Sequence, residues 1–169
     1  MAFARAYDRF GLLQTRRRVM RILMALVMSV FLAGTAMAGD NGIVRKESAK
    51  SVGETMDALQ AALEGAGLTI FARVDHGAGA QGVGEDIGAS ELLIFGNPKL
   101  GTQAMLDDRT SALFLPMKIA VFEDETGKTM IAYEDPAAML GKLGGVADDA
   151  AYVQTMTGAL GKFTDGAAQ

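Results

Sequence analysis

The chain has no cysteine and no tryptophan, one histidine and three prolines in 169 residues. Without cysteine it has no disulfide, no thiolate zinc site, no iron–sulfur cluster and no thiol nucleophile. A single histidine excludes a multi-histidine metal site within one chain. The 21 glycines follow no triplet period, which excludes a collagen-like fibre, and no repeat of solenoid length is present. The apolar run Ile22–Leu32 is too short to cross about 30 Å of hydrocarbon, which takes about 20 residues. What is present is a chain that is 50% hydrophobic, enough to bury one ordinary core and too apolar for a disordered segment. Composition bears on destination, fold and missing chemistry more than on activity.

Six arginines, Arg5, Arg9, Arg16, Arg17, Arg18 and Arg21, all precede that apolar run, and Ala36-Met37-Ala38 follows it. A basic flank, a short apolar stretch and an A-x-A site are the three parts of a secretory signal peptide. Residues 1–38 read as that leader, cleaved after Ala38, so the expected destination is the bacterial periplasm. Thr15-Arg16-Arg17-Arg18-Val19-Met20 also resembles a twin-arginine signal, and Met20-Arg21 with the apolar run forms a compact signal if Met20 is the true start. The general secretory route is favoured, because the run is strongly apolar. Losing the leader removes six basic and one acidic residue and leaves a net charge of −9. Such a surface is repelled by nucleic acid and by anionic membranes.

Residues 39–146 read as one α/β domain and 147–169 as a C-terminal helix and tail. Ile43–Ser48 is an expected first strand. Ser51 with Glu54 three residues on is a capping box, and Val52, Met56, Leu59 and Leu63 form one apolar stripe of a helix closed by Gly65 and Gly67. Leu68–Asp75 alternates, which puts Leu68, Ile70, Ala72 and Val74 on one strand face. Residues 76–90 are Gly- and Ala-rich, a poor helix or a mobile loop. Leu92–Phe95 is continuously apolar, as in a strand covered on both faces. Asn97-Pro98 opens a helix with Leu100, Ala104, Met105 and Leu106 inward. Met117–Asp124 and Lys128–Glu134 form a hairpin around Gly127, Asp135-Pro136 opens a short helix to Leu143, and 148–163 forms a last helix with a frayed tail at 164–169. The order gives an α/β (α+β) two-layer sandwich: a mixed, partly antiparallel sheet with helices on one face. Open sheet edges favour a homodimer.

Asp75-His76, Leu92-Leu93-Ile94-Phe95-Gly96-Asn97-Pro98-Lys99, Leu115-Pro116-Met117-Lys118 and Tyr133-Glu134-Asp135-Pro136, in this order and spacing, resemble the domain-of-unknown-function 302 family over residues 43–146. The resemblance implies a small two-layer α/β domain, commonly dimeric, without an established enzymatic activity, occurring in cytoplasmic and exported forms. The Gly-rich stretch 77–84 departs from the more Ala-rich helix of that family, and the segment after 146 lies outside the match.

Four residues are candidates for a site. His76 beside Asp75 is the one side chain whose ordinary pKa lies near neutrality, so it suits a general base, an axial haem ligand or half of a metal site shared across a dimer. No G-x-S-x-G elbow accompanies it, and a structural hydrogen bond at a strand end is the simpler role. Asn97 with Pro98 suits an anion-accepting turn or simple capping. Lys118 suits an anion or Asp135, or solvent. Asp135 suits a helix cap. Gly77-Ala78-Gly79-Ala80-Gln81-Gly82 matches G-x-G-x-x-G but lacks the firm helix and the later acidic residue of a dinucleotide site. Beyond residue 38 six methionines stand singly at core-like positions, so packing is preferred over copper binding. Glu123-Asp124-Glu125 lacks EF-hand spacing and reads as a solvated turn.

The sequence therefore leads to an exported, non-catalytic domain that binds a small-molecule ligand or a protein partner as a homodimer, its pocket lying between helices and sheet near His76, Asn97, Lys118 and Asp135. No cofactor is implied, and neither nucleic-acid binding nor stable membrane insertion is expected after signal cleavage. The alternatives are a small enzyme with His76 as acid/base and Asn97 or Lys118 stabilising negative charge, and an envelope protein that holds haem or metal through His76.

Overall fold

The computed structural model describes residues 37–38, 41–147 and 149–169. The leader expected over residues 1–38 falls outside them except for its last two residues.

Ser51 opens helix α1 (Val52–Gly65) as its spacing with Glu54 requires. The Glu54 backbone N–H donates to the Ser51 hydroxyl at 3.3 Å, and the Ser51 N–H donates to the Glu54 carboxylate at 3.0 Å. The Ser51 hydroxyl and N–H hold the Glu54 carboxyl below the usual carboxylate range. Val52, Met56, Leu59 and Leu63 form the buried stripe, and each side chain so buried stabilises the fold by roughly 1.5–3 kcal/mol. The chain leaves the helix through Gly67 at φ +76°, a conformation in which any other residue's Cβ is crowded.

The strands are β1 (Met37–Ala38), β2 (Ile43–Glu47), β3 (Thr69–Asp75), β4 (Ser90–Gly96), β5 (Met117–Glu123) and β6 (Thr129–Glu134), in the spatial order β1-β2-β6-β5-β4-β3. A mixed, partly antiparallel sheet was expected; every pairing among the described residues is antiparallel. The β5–β6 pairing follows from a tight hairpin. β5 turns into β6 through Gly127 at φ +79°, with the Asp124 carboxylate accepting from the Thr126 hydroxyl, the Thr126 N–H and the Lys128 N–H. These bonds hold the Asp124 carboxyl below its usual range.

The remaining helices are α2 (His76–Gln81), α3 (Pro98–Asp107), α4 (Pro136–Leu140) and α5 (Ala151–Ala167), with a 3₁₀ turn over Arg109–Leu113. One sheet face carries Leu93, Phe95, Ile119, Val121 and Ile131, all nearly inaccessible, and packs under the helices. The opposite face carries Leu92, Ile94, Ala120, Phe122, Met130 and Ala132, which stay half-buried. Among the described residues the apolar run Leu92–Phe95 is thus covered by helices on one face, not on both.

Two local expectations change, and one open alternative is decided. Leu68, Ile70, Ala72 and Val74 do not share a face. A bulge at Phe71 sets Ile70 opposite Phe95 and Ala72 opposite Ile94, so Ile70 joins the helix side while Ala72 and Val74 turn to the open side. Leu106 faces outward, 67% exposed, because the inward stripe of α3 is Leu100, Ala104 and Met105. Of the two alternatives for the Gly-rich stretch after β3, a short helix forms over His76–Gln81 (α2), and the chain runs without regular structure from there to β4. A Cβ on Gly77 would stand 2.8 Å from the Gly88 carbonyl oxygen, so glycine is what lets this helix return to β4.

Residues 147–169 are not a separate tail. Tyr152, Val153, Met156 and Leu160 of α5 are buried in the same core as α1 and the sheet. Nor does the end fray: Thr164 and Ala167 are buried, and the Ala49 N–H donates to the Ala168 carbonyl at 2.9 Å. The Lys46 ammonium, on a side chain only 8% exposed, donates to the Thr164 hydroxyl at 2.8 Å and the Gly161 carbonyl at 3.2 Å, and it pairs with Asp165. This lysine on β2 fastens the last turns of α5 to the sheet.

Candidate functional site

Asn97 is where β4 hands over to α3. Its carboxamide oxygen accepts from the Lys99 N–H at 3.0 Å, and its carbonyl accepts from the Leu100 and Gly101 N–H groups at 3.1 and 3.0 Å. Pro98 has no N–H to offer. The first amides of α3 are therefore all used, and this helix start has no free donor for an anion. The capping role, not the anion-accepting turn, is what the geometry carries.

The same corner makes one wall of a cavity. Gly96 keeps the wall low, since a Cβ there would lie 3.2 Å from Phe71 Cε2 and 3.5 Å from Pro116 Cβ. Leu100, Gly101 and Met105 of α3 form a second wall, Leu115–Met117 leading into β5 a third, and Met156, Leu160 and Phe163 of α5 the roof. The cavity holds about 290 Å³. Among the described residues its lining contains no aspartate, glutamate, lysine, arginine or histidine, and Asn97 and Thr102 are the polar side chains there. The bulged residue Phe71, 57% exposed, reaches this lining from β3.

Two ties hold the roof. One is Lys46, described above. The other is the Tyr152 hydroxyl, which donates to Asp107 Oδ2 at 2.8 Å and joins the first turn of α5 to the last turn of α3. Burial, and then this bond to an anionic acceptor, push the Tyr152 hydroxyl up to about 12. Beside it Asp108 caps the 3₁₀ turn, accepting from the Thr110 hydroxyl at 2.6 Å, which helps keep its carboxyl below the usual range.

The four candidate residues do not converge. Asn97 lines the cavity. His76 begins α2 at the far end of β3, where Asp75 pairs with Glu91; Gly96 is five residues along β4 from there, roughly 17 Å of extended chain. His76 is exposed, and its ring has no hydrogen bond to another described residue. Asp75 is occupied as the α2 cap, accepting from the Ala78 N–H at 2.7 Å. Lys118 sits opposite Ile94, so it shares the open face of the sheet, and its ammonium reaches the Phe114 carbonyl at 3.5 Å. Asp135 caps α4, accepting from the Ala137 and Ala138 N–H groups. The G-x-G-x-x-G segment lies inside α2 and at its end, between antiparallel strands, which is not the parallel β-α-β unit a dinucleotide requires. Among the described residues no group of three or more His, Asp or Glu side chains is placed to hold a metal ion.

Apart from Asn97, the residues of the pocket carry no signal of a site in the sequence. Met105, Met117 and Met156 come from three elements and read singly as core. Only the fold brings the three residues to the lining of one cavity, with Phe71, Phe95 and Phe163.

An antiparallel sheet under one layer of helices, with this corner and roof, defines a two-layer α/β domain. The model of the family described as Domain of unknown function DUF302 matches residues 44–162, so the chain belongs to the DUF302 family. The match extends past the expected end at 146 and takes in most of α5, in keeping with that helix's place in the core. The fold also resembles the crystal structure of an uncharacterised conserved DUF302 protein from Bacillus stearothermophilus, with a TM-score of 0.60 and 17% identity over 75% of this chain and 95% of that one. In sequence the chain is 41% identical over 120 residues to two proteins named fluoride-specific ion channel FluC 1, from Brucella suis and Brucella abortus. That alignment covers 70% of this chain but 47% and 44% of those proteins, so the chain spans less than half of their length. No helix among the described residues is long and apolar enough to cross a membrane.

Proposed function

We propose that this chain is an exported, non-catalytic domain that holds a small molecule in the cavity under α5 and works as a homodimer through the open face of its sheet. One observation carries the reading: the cavity is built without a titratable side chain, while His76, Lys118 and Asp135 stand apart from it and from one another. Acid–base catalysis needs such a group within hydrogen-bond reach of the reacting atom, and this cavity offers none. The dimer reading rests on Leu92, Ile94, Phe122 and Met130, half-buried apolar side chains on the sheet face opposite the described helices. Export rests on the leader pattern of residues 1–38.

The test is native mass spectrometry of the protein recovered from its host's cell envelope. The reading expects a dimer cleaved after Ala38 that carries a small-molecule mass. An unprocessed, bare monomer whose enzymatic turnover is lost in His76→Gln would overturn it.

A second reading is favoured by the Brucella similarity. A domain 41% identical to part of proteins named fluoride-specific ion channels also fits a module that works beside such a channel. Growth on fluoride of a strain lacking this chain tests it: unchanged sensitivity ends that reading.

A further inference from the structure

The cavity under α5 restricts the chemistry of what it holds in three ways. First, it is free of charge. An ionised group brought inside would lose its hydration without gaining a partner, at a cost of several kcal/mol. The amides of the α3 start offer no relief, because Asn97 already accepts from each of them. Second, at about 290 Å³ it is roughly twice the ~150 Å³ cavity that holds benzene, and it lies at the small end of ligand pockets. A helix, about 10–12 Å across with its side chains, does not fit such a space. Third, its walls adapt. Met105, Met117 and Met156 enter from α3, β5 and α5, and their unbranched thioether chains adjust to the bends of a flexible guest.

The mouth adds one directional feature. The Asn97 carboxamide oxygen is used by Lys99, while its NH₂ group has no partner among the described residues. That group donates, so it suits a guest carrying an uncharged acceptor such as an alcohol, ester or ketone oxygen. Phe71, exposed on the β3 bulge, supplies an apolar lip. The net charge of −9 on the chain beyond residue 38 disfavours docking on an anionic lipid surface, which favours a guest taken from solution.

Resting on the small-molecule reading above, we propose that the cavity binds one uncharged, chain-like hydrocarbon molecule whose single polar acceptor lies at Asn97. The roof helix α5 is part of the site, and its ties at Tyr152 and Lys46 set how readily the guest enters.

The experiment uses protein expressed from its full coding sequence and N-phenylnaphthylamine, an uncharged probe that brightens in apolar surroundings. Decanol and decanoate compete for it, alike in chain and different in charge. One probe should bind per chain, and decanol should displace it at a concentration at least about tenfold lower than decanoate, a difference of about 1.4 kcal/mol. Ala159→Phe fills the roof side and Gly101→Leu the α3 side, and each should weaken the probe at least about tenfold with the far-UV spectrum unchanged. A Cβ on Gly101 meets Leu115 Cδ1 at 3.7 Å, an ordinary contact, so this variant carries the test if Ala159→Phe does not fold. Gly158→Ala, with nothing within 4 Å of its Cβ, is the control and should bind as the parent does. Decanoate competing as well as decanol would overturn the uncharged class while leaving a small-molecule site in place. Displacement by copper(I) alone would reassign the three methionines. Capture of the protein by phosphatidylcholine vesicles would replace the soluble guest with a membrane. Absence of saturable probe binding in every form would overturn both this proposal and the reading beneath it.

Discussion

The Tyr152 hydroxyl donates to Asp107 Oδ2 across 2.8 Å and thereby joins the start of α5 to the end of α3, the two helices that enclose the cavity. Burial first, and then this bond to an anionic acceptor, favour the neutral phenol and push the hydroxyl up to about 12 from an ordinary value of 10.0. A raised folded value means the contribution is complete below the unfolded value and disappears as pH climbs through the folded one. Stability measured against urea should therefore fall from about pH 10 to 12 by roughly 2 kcal/mol more in the parent than in Tyr152→Phe. Parallel curves for the two proteins would show that the Tyr152 hydroxyl is not held buried against Asp107 in solution. Near neutral pH the same substitution should cost about 1 kcal/mol.

Lys46 and Lys128 give opposite expectations although each makes an ion pair. The Lys46 side chain is 8% exposed and serves three acceptors on α5, with the Tyr133 ring 5.9 Å from its ammonium. Lys128 meets Glu47 with both side chains more than half exposed. Lys46→Met should lower the unfolding free energy by about 1–3 kcal/mol, because Gly161, Thr164 and Asp165 all lose a charged donor. Lys128→Met should change it by less than about 0.5 kcal/mol. Denaturant melts of the two variants check the contrast.

Glycine replacements separate tolerance from clash. Gly158 lies within α5 with open space around its Cβ position, so Gly158→Ala should stabilise by about 0.5–1 kcal/mol through the entropy of the unfolded chain. At Gly145 a Cβ would stand 2.6 Å from the Asp107 carbonyl oxygen, and backbone cannot easily give way. Gly145→Ala should destabilise by more than about 1 kcal/mol. Melting temperatures that move in the same direction for both would contradict the packing described for this loop.

Much of the fold is written in short-range signals. Ser51 with Glu54, Asn97 with Pro98, Asp135 with Pro136 and Gly127 in the hairpin each act within a few residues, and each does in the structure what its spacing implies. The β3 bulge was not legible: the register shift at Phe71 is defined by pairing with β4, a strand some twenty residues later, and leaves no mark on the local alternation. The end of α5 was not legible either, since its order comes from Lys46 more than a hundred residues earlier. The cavity is the extreme case. His76 draws attention by its chemistry, yet the fold leaves it at the opposite end of β3. Met105, Met117 and Met156 look like ordinary packing until three elements meet around one empty space.

The most direct test of the account weighs the cavity against the histidine in a single measurement. Native mass spectra of parent, His76→Ala and Ala159→Phe, each recovered from the host envelope, report which residue a retained molecule depends on. The account predicts that the added mass persists in His76→Ala and disappears in Ala159→Phe. Loss in His76→Ala with retention in Ala159→Phe would place the function at the far end of β3 and contradict it.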